Sequence, residues 1–340
     1  MKEYNYLEIR GKKVNHINRK RKALIAANEI SEMRSYILDG IPQKVLIEGK
    51  RASNPVVIFL HGGPGSPLPF NAGCRGMFPE LTDKATMVYW DQLGCGINDY
   101  PIDDSFSIER FVVMTTDLIK QIKADFKECP ICIFGVSWGS ILAAKAAEIV
   151  PEWIDRVVIY GQVLRPLLSH KEVFEVLEKS NMPGKHKARL TLLKDRNATY
   201  SIEEFIAVLG WIREYTEGYQ AKDGGKMKLG SIIWGLLTSP DYSLKDVKAM
   251  VLNGYKKNKS LLNELLSIEL SETLRKVQVP YMILQGDTDI VTSTKTVAAF
   301  VETSGNNNLH FQMVGHSGHM PGAKGMKEII GTVFEFFGAK

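Results

Sequence analysis

Gly135-Val136-Ser137-Trp138-Gly139-Ser140 sets a serine between two glycines at a spacing suited to nucleophilic attack. A G-x-S-x-G turn is so tight that the serine takes a strained backbone conformation, and side chains at Gly135 or Gly139 would collide with neighbouring backbone. The turn lifts the Ser137 hydroxyl clear and leaves the Trp138 N–H at a helix N-terminus, where it can hold a developing oxyanion. A second donor is expected from His61-Gly62-Gly63-Pro64-Gly65, whose glycines let the backbone approach a substrate carbonyl. Gly63 is the favoured N–H, with Gly62 the alternative. A serine needs a histidine to take its proton, and the histidine needs a carboxylate to hold its tautomer. Two later turns supply these types: Gln285-Gly286-Asp287-Thr288-Asp289 and Gly315-His316-Ser317-Gly318-His319. Asp289 is favoured as the acid, with Asp287 capping the turn. His319 is favoured as the base over His316, and His61 is read as bracing the glycine loop. The chemistry open to this set is acyl transfer through a covalent acyl-enzyme.

Each of these turns has to be carried by an element that ends in the same place. Short β-branched runs separated by longer helical patterns supply such elements, and the alternation indicates a mostly parallel sheet with helices on both faces. The predicted strands are Ser35 to Leu38, Lys44 to Glu48, Val56 to Leu60, Thr86 to Trp90, Ile131 to Phe134, Arg156 to Tyr160, Tyr281 to Leu284 and Leu309 to Val314. Asp39-Gly40-Ile41-Pro42 makes the first two an antiparallel hairpin. Helices are expected at Ile108 to Phe126, Ile141 to Ile149 and Met326 to Phe337. The strand signal disappears between Leu164 and Thr273, where the pattern is helical with Trp211, Tyr215, Tyr219 and Trp234 interspersed. The expected organisation is an N-terminal helical extension over 1–34, a core over 35–163 and 274–340, and a helical cap over 164–273. An insertion at a strand end lies where open α/β sheets bind ligands.

Composition narrows the function classes. The chain has 340 residues, 44% of them apolar, enough to bury a large core. Its 43 basic and 38 acidic residues leave a net charge of +5. That mild excess is spread out, with one dense basic run from Arg19 to Lys22 that reads as a solvated helix face; no nucleic-acid partner is expected. The first residues lack the basic-then-apolar layout of a leader, and no apolar stretch is long enough to span a bilayer, so no membrane partner and a cytoplasmic location are expected. Cys129-Pro130-Ile131-Cys132 has redox spacing, but Cys132 lies inside an apolar run, and no metal-ligand cluster accompanies it. No metal and no cofactor are expected, and the sequence is silent on oligomeric state.

Together, His-Gly-Gly-Pro-Gly at 61–65, Tyr-Trp-Asp-Gln-Leu-Gly-Cys-Gly at 89–96 and Gly-Val-Ser-Trp-Gly-Ser at 135–140 resemble the proline iminopeptidase (prolyl aminopeptidase) branch of the α/β-hydrolases. The resemblance covers about 35 to 160 and 275 to 338 and is weak in the insertion. It implies the α/β-hydrolase fold with an inserted cap, Ser137, Asp289 and His319 as the catalytic set, and Gly63 and Trp138 as the oxyanion hole. Its substrate would be a short peptide or another small molecule with a free N-terminal amine. Members of that branch read Asp-Gln-Arg-Gly-x-Gly-x-Ser where this chain has Leu93 and Asn98. They also hold the substrate amine with acidic residues. Glu203, Glu204, Glu214 and Glu217 are available for that, and Glu214 and Glu217, with Gly62, are the substrate-binding candidates. The competing classes are a carboxylesterase-like hydrolase of small esters, a hydroxynitrile lyase on the same residues, a non-catalytic binding protein of the same fold, and a thiol redox protein using Cys129 and Cys132.

Overall fold

In the computed structural model of the chain, the residues described are 11, 15–16, 19, 22–67, 79–194, 200–224, 230, 234, 236–239, 241–252, 255 and 258–338. Much of the expected N-terminal extension and of the basic run lies outside them.

Eight strands form one sheet in the order β1-β2-β4-β3-β5-β6-β7-β8. They are β1 (Ile30–Leu38), β2 (Ile41–Gly49), β3 (Val56–Leu60), β4 (Thr86–Tyr89), β5 (Ile131–Val136), β6 (Arg156–Tyr160), β7 (Tyr281–Gly286) and β8 (Leu309–Val314). The hairpin of β1 and β2 turns on Asp39 (φ 48°) and Gly40 (φ 73°), both in the positive-φ region that a two-residue turn of this hand requires. β2 pairs antiparallel with β4, and every later pairing is parallel. β3 is buried along its whole length and β5 almost so, as continuous apolar runs in the middle of a two-sided sheet must be.

β1 begins at Ile30, so residues 30–34, expected to be helical, belong to the sheet; residues 22–27 are helical.

Among the described residues, the helices that bear on the site and the core are α1 (Pro79–Lys84), α2 (Ile108–Asp125), α3 (Trp138–Ile149), α4 (Lys171–Lys179), α5 (Gly184–Lys194), α6 (Ile202–Tyr215), α7 (Leu244–Val251), α8 (Lys259–Leu265), α9 (Ser271–Lys276), α10 (Thr294–Thr303) and α11 (Ala323–Phe337). α3 is apolar on nearly every side because it is enclosed, with sheet strands, α2 and α9 around it. Its alanines allow that close approach. Ile141 and Leu142, both fully buried, contribute about 2 kcal/mol each. One face of the sheet packs on α2, α3, α9 and α10, the other on α1 and α11.

The insertion between β6 and β7 is helical among the described residues, and its own apolar cluster joins Leu167, Val173, Leu190, Val208 and Trp211 to Ile290 of the loop after β7. It does not stay apart from the sheet. Tyr255, Leu261 and Leu274 pack into one face of the core, and Tyr242 and Val247 into the other. The boundary expected at 273 therefore falls inside α9, a core helix. None of the helices, among the described residues, is long and apolar enough to cross a membrane.

Candidate active site

Ser137 stands between β5 and α3 with φ 50° and ψ −115°, a conformation that costs a non-glycine residue about 1–3 kcal/mol. The neighbouring glycines make the turn possible. A Cβ on Gly139 would lie 2.1 Å from the Leu60 carbonyl oxygen, and one on Gly135 would lie 2.7 Å from Ile159 Cδ1. The Ser137 N–H donates to Tyr160 O of β6 at 3.0 Å, fixing the turn to the sheet.

The loops after β7 and β8 bring Asp289 and His319 to this serine. His319 Nε2 is 2.9 Å from Ser137 Oγ, and His319 Nδ1 is 3.0 Å from Asp289 Oδ2. With Nδ1–H donating to the carboxylate, Nε2 is left to accept from the serine hydroxyl. Asp289 is buried, and its other contacts hold it as an acceptor. Val291 N–H and Thr292 N–H donate to Oδ1 at 2.7 and 3.1 Å, and the Thr292 hydroxyl donates to Oδ2 at 2.7 Å. Burial works against the charge of Asp289, but the facing His319 and the Thr292 hydrogen bonds outweigh it, and the carboxyl sits below its ordinary value. The His319 loop is itself anchored. Its N–H donates to Gly218 O at 3.1 Å, Met320 N–H donates to Tyr219 O at 2.8 Å, and the Tyr160 hydroxyl donates to Gly318 O.

The alternatives to these two residues lie elsewhere. Asp287 accepts from the N–H groups of His316 and Ser317, each at 2.9 Å, and so caps the turn after β8. The His316 imidazole is half exposed and faces Asp223.

The glycine loop follows β3 and lies against the serine: a Cβ on Gly62 would be 3.3 Å from Val136 O and 3.5 Å from Ser137 Cβ. Gly62 and Gly63 line a cavity of about 200 Å³ together with Ser137, Trp138 and His319. His61 is fully buried. Its Nδ1–H donates to Gly62 O at 2.8 Å and its Nε2 accepts from Gln92 N–H at 3.0 Å, which assigns a neutral ring. Burial pushes its pKa down to about 4.

Gln92 is a residue to which sequence reasoning gave no role. Its amide accepts from Trp138 Nε1 at 2.7 Å and donates to His61 O at 3.2 Å, tying the serine turn to the glycine loop. The signal was present, since Gln92 lies in the quoted 89–96 segment. Asn98, where relatives of the resembled branch carry serine, bonds Lys44 O, Lys44 N–H and Asp91 O, locking the same segment to β2. Leu93 is buried in the core.

The structure does not place the glutamates proposed for substrate binding on the cavity wall. Glu214 is exposed on α6 and does not line the cavity, because the buried face of that helix is set by Val208, Trp211 and Ile212. Glu217 turns toward Lys222, accepting from its N–H at 3.1 Å and facing its ammonium at 3.4 Å. Glu204 closes the capping box with Ser201, and Glu203 is exposed. The charged side chains that line the cavity, among the described residues, are Arg165 and Arg213. Arg213 gave no signal in the sequence. Which helix face looks down on the serine is decided by how α6 packs.

Cys129 and Cys132 are free thiols in opposite core clusters, one on each face of the sheet. Burial raises both, Cys132 to about 12, which withholds the thiolate that redox chemistry needs. Among the described residues no three His, Cys, Asp or Glu side chains come together as a metal site.

The model of the alpha/beta hydrolase fold family matches residues 55–323, from the start of β3 through the His319 loop. The chain belongs to the α/β-hydrolase fold family. A protein of Bacillus subtilis named a probable aminopeptidase is 24% identical over 77% of this chain and 82% of its own. The proline iminopeptidase of Heyndrickxia coagulans is 27% identical over 53% of this chain and 62% of its own. Among solved structures, the proline iminopeptidase of Mycobacterium smegmatis superposes with a TM-score of 0.60 at 16% identity, covering 90% of this chain and 98% of that one. The curated relatives are thus named as an aminopeptidase and a proline iminopeptidase, the latter the branch that the sequence motifs resemble, and the structural likeness carries the fold.

Proposed function

We propose that this α/β-hydrolase cleaves an acyl ester or amide with Ser137 as nucleophile, His319 as base and Asp289 as its partner. The observation that carries the reading is the continuous relay from Ser137 Oγ through both ring nitrogens of His319 to the buried Asp289. Ser137 Oγ attacks the carbonyl carbon as its proton passes to His319 Nε2. The resulting imidazolium is stabilised by Asp289, and the oxyanion is held by the N–H groups of Trp138 and Gly63. His319 then gives the proton to the leaving alcohol or amine. In the second half, water loses a proton to His319 and attacks the acyl-enzyme, releasing the acid and free Ser137. None of these steps calls for a metal or cofactor.

A second reading, a prolyl aminopeptidase, is favoured by the names of the curated relatives. It requires an acidic receptor for the free amine. The arginines on the cavity wall favour the other finer reading, a hydrolase of small esters or amides without a free amine. The free buried thiols agree with a cytoplasmic setting.

Hydrolysis of a proline arylamide and of short-chain aryl esters, by wild type and Ser137→Ala, separates these. Ester turnover lost in Ser137→Ala supports the proposal, and arylamide turnover lost in the same variant establishes the aminopeptidase. Turnover of either that survives in Ser137→Ala overturns the assigned nucleophile.

A further inference from the structure

We propose that Arg213 is a specificity residue that selects acyl substrates bearing a carboxylate, held at the cavity mouth while the acyl carbon meets Ser137. This rests on the hydrolase reading above and names its substrate class.

Four observations lead there. First, the formal charge that lines the cavity, among the described residues, is positive: Arg165 and Arg213, with no aspartate or glutamate among the lining side chains. Asp289 does not change that sign at the surface, since it is buried behind His319 with its oxygens engaged by Val291, Thr292 and the imidazole. Second, the two arginines differ in what they have already bound. Arg165 Nε donates to Glu269 Oε2 at 2.8 Å, so its charge is offset. Arg213 has no carboxylate in ion-pair range among the described residues. Its contacts are the Tyr219 hydroxyl, to which Nη2 donates at 3.1 Å, and the face of the Tyr219 ring, 4.4 Å from its centroid.

Third, those contacts orient the guanidinium without using up its fork. A planar cation laid on an aromatic ring keeps N–H groups free for the two oxygens of a carboxylate. Fourth, Tyr219 is fixed relative to the reacting atoms. Its carbonyl takes the Met320 N–H, and its ring lies 5.9 Å from that of His319, so a single aromatic ring separates the guanidinium from the imidazole. Phe205, Leu209 and Val291 give the same cavity an apolar lining, and its volume of about 200 Å³ suits a short chain. An ammonium in the same place would stand beside the Arg213 guanidinium, which has no carboxylate to offset it among the described residues. Arg213 is exposed, so solvent screens it, and the selectivity it confers is about tenfold and not a thousandfold.

Three 4-nitrophenyl esters of matched length test this: a mono-adipate, a 6-aminohexanoate and a heptanoate, differing in a terminal carboxylate, ammonium or methyl. The wild type is expected to turn over the adipate with a kcat/KM at least tenfold above that for the aminohexanoate. In Arg213→Met the ratio of adipate to heptanoate kcat/KM falls about tenfold, mainly through KM. In Arg213→Lys part of it is retained, and in Arg213→Glu the preference passes to the aminohexanoate. Equal turnover of the three esters by the wild type, or Arg213→Met slowing all three alike, overturns the proposal. If none of the esters shows turnover dependent on Ser137, the hydrolase reading fails by itself, and the anion site is read separately. Calorimetric titration of Ser137→Ala with adipate monoamide should then give binding that is lost on adding Arg213→Met; no binding overturns the site.

Discussion

Gly139→Ala probes the packing that sets the geometry of the site. The new Cβ would fall 2.1 Å from Leu60 O and 3.0 Å from His61 O, backbone atoms that cannot rotate away. An ordinary carbon–oxygen contact is about 3.3 Å, so the start of α3 and the end of β3 must part by about 1 Å. These two pieces carry the Trp138 and Gly63 N–H groups proposed to hold the oxyanion, and their separation would set the size of that hole. Overpacking of this kind costs about 1–3 kcal/mol, and a displacement of about 1 Å in a reacting geometry costs on the order of 100-fold in rate. Gly139→Ala should therefore lower the thermal midpoint by several degrees and reduce ester kcat by about two orders of magnitude, with the far-ultraviolet circular dichroism of a folded protein. Turnover within twofold of wild type at an unchanged midpoint would refute the claim that this contact positions the hole.

Gly210→Ala on α6 is the opposite case: it is exposed, with nothing within 4 Å of the new methyl group, so relief of backbone freedom should raise stability by about 0.5–1 kcal/mol in urea unfolding. A lower urea midpoint would show that the helix does not run as described. Gln92→Leu strands Trp138 Nε1 and His61 O in a buried place, at a cost of about 2–4 kcal/mol, and should lower kcat more than it raises KM; a stability loss under 0.5 kcal/mol would remove Gln92 as the clamp. His61 titrates at about 4 in the fold against 6.5 when free, so the unfolded chain binds its proton first as pH falls. Stability is then full above about 6.5 and is lost progressively down to about pH 4, by about 3 kcal/mol in all. Nitrogen-15 shifts should keep His61 neutral at pH 5, and a charged His61 at that pH would contradict its two hydrogen bonds.

Much of this molecule is written in its local pattern. All eight strands are legible because runs such as Val56–Leu60 and Ile131–Val136 are buried on both faces and interrupted by glycine turns. Asp287 and Asp289, two residues apart, separate by what each can reach: Asp287 meets the N–H groups across the turn, whereas Asp289 accepts from its own loop and faces His319. The start of β1 was hidden because none of residues 30–34, at the sheet edge, is buried, and so they lack an apolar alternation. Where the glutamates of the insertion point was hidden for a related reason. Composition counts acidic residues, whereas the face each one occupies follows from where Trp211 and Ile212 are buried. Gln92 and Arg213 make their contacts across the fold, to Trp138 from the segment after β4 and to the cavity from α6, and no spacing rule encodes either.

The most direct test of the central claim is the site of reaction with a fluorophosphonate, mapped by mass spectrometry of the digested protein. A single adduct is expected on Ser137 in the wild type and in His316→Ala, with labelling slowed at least 100-fold in His319→Ala. An adduct on another serine, or none on Ser137 in folded protein, would contradict it.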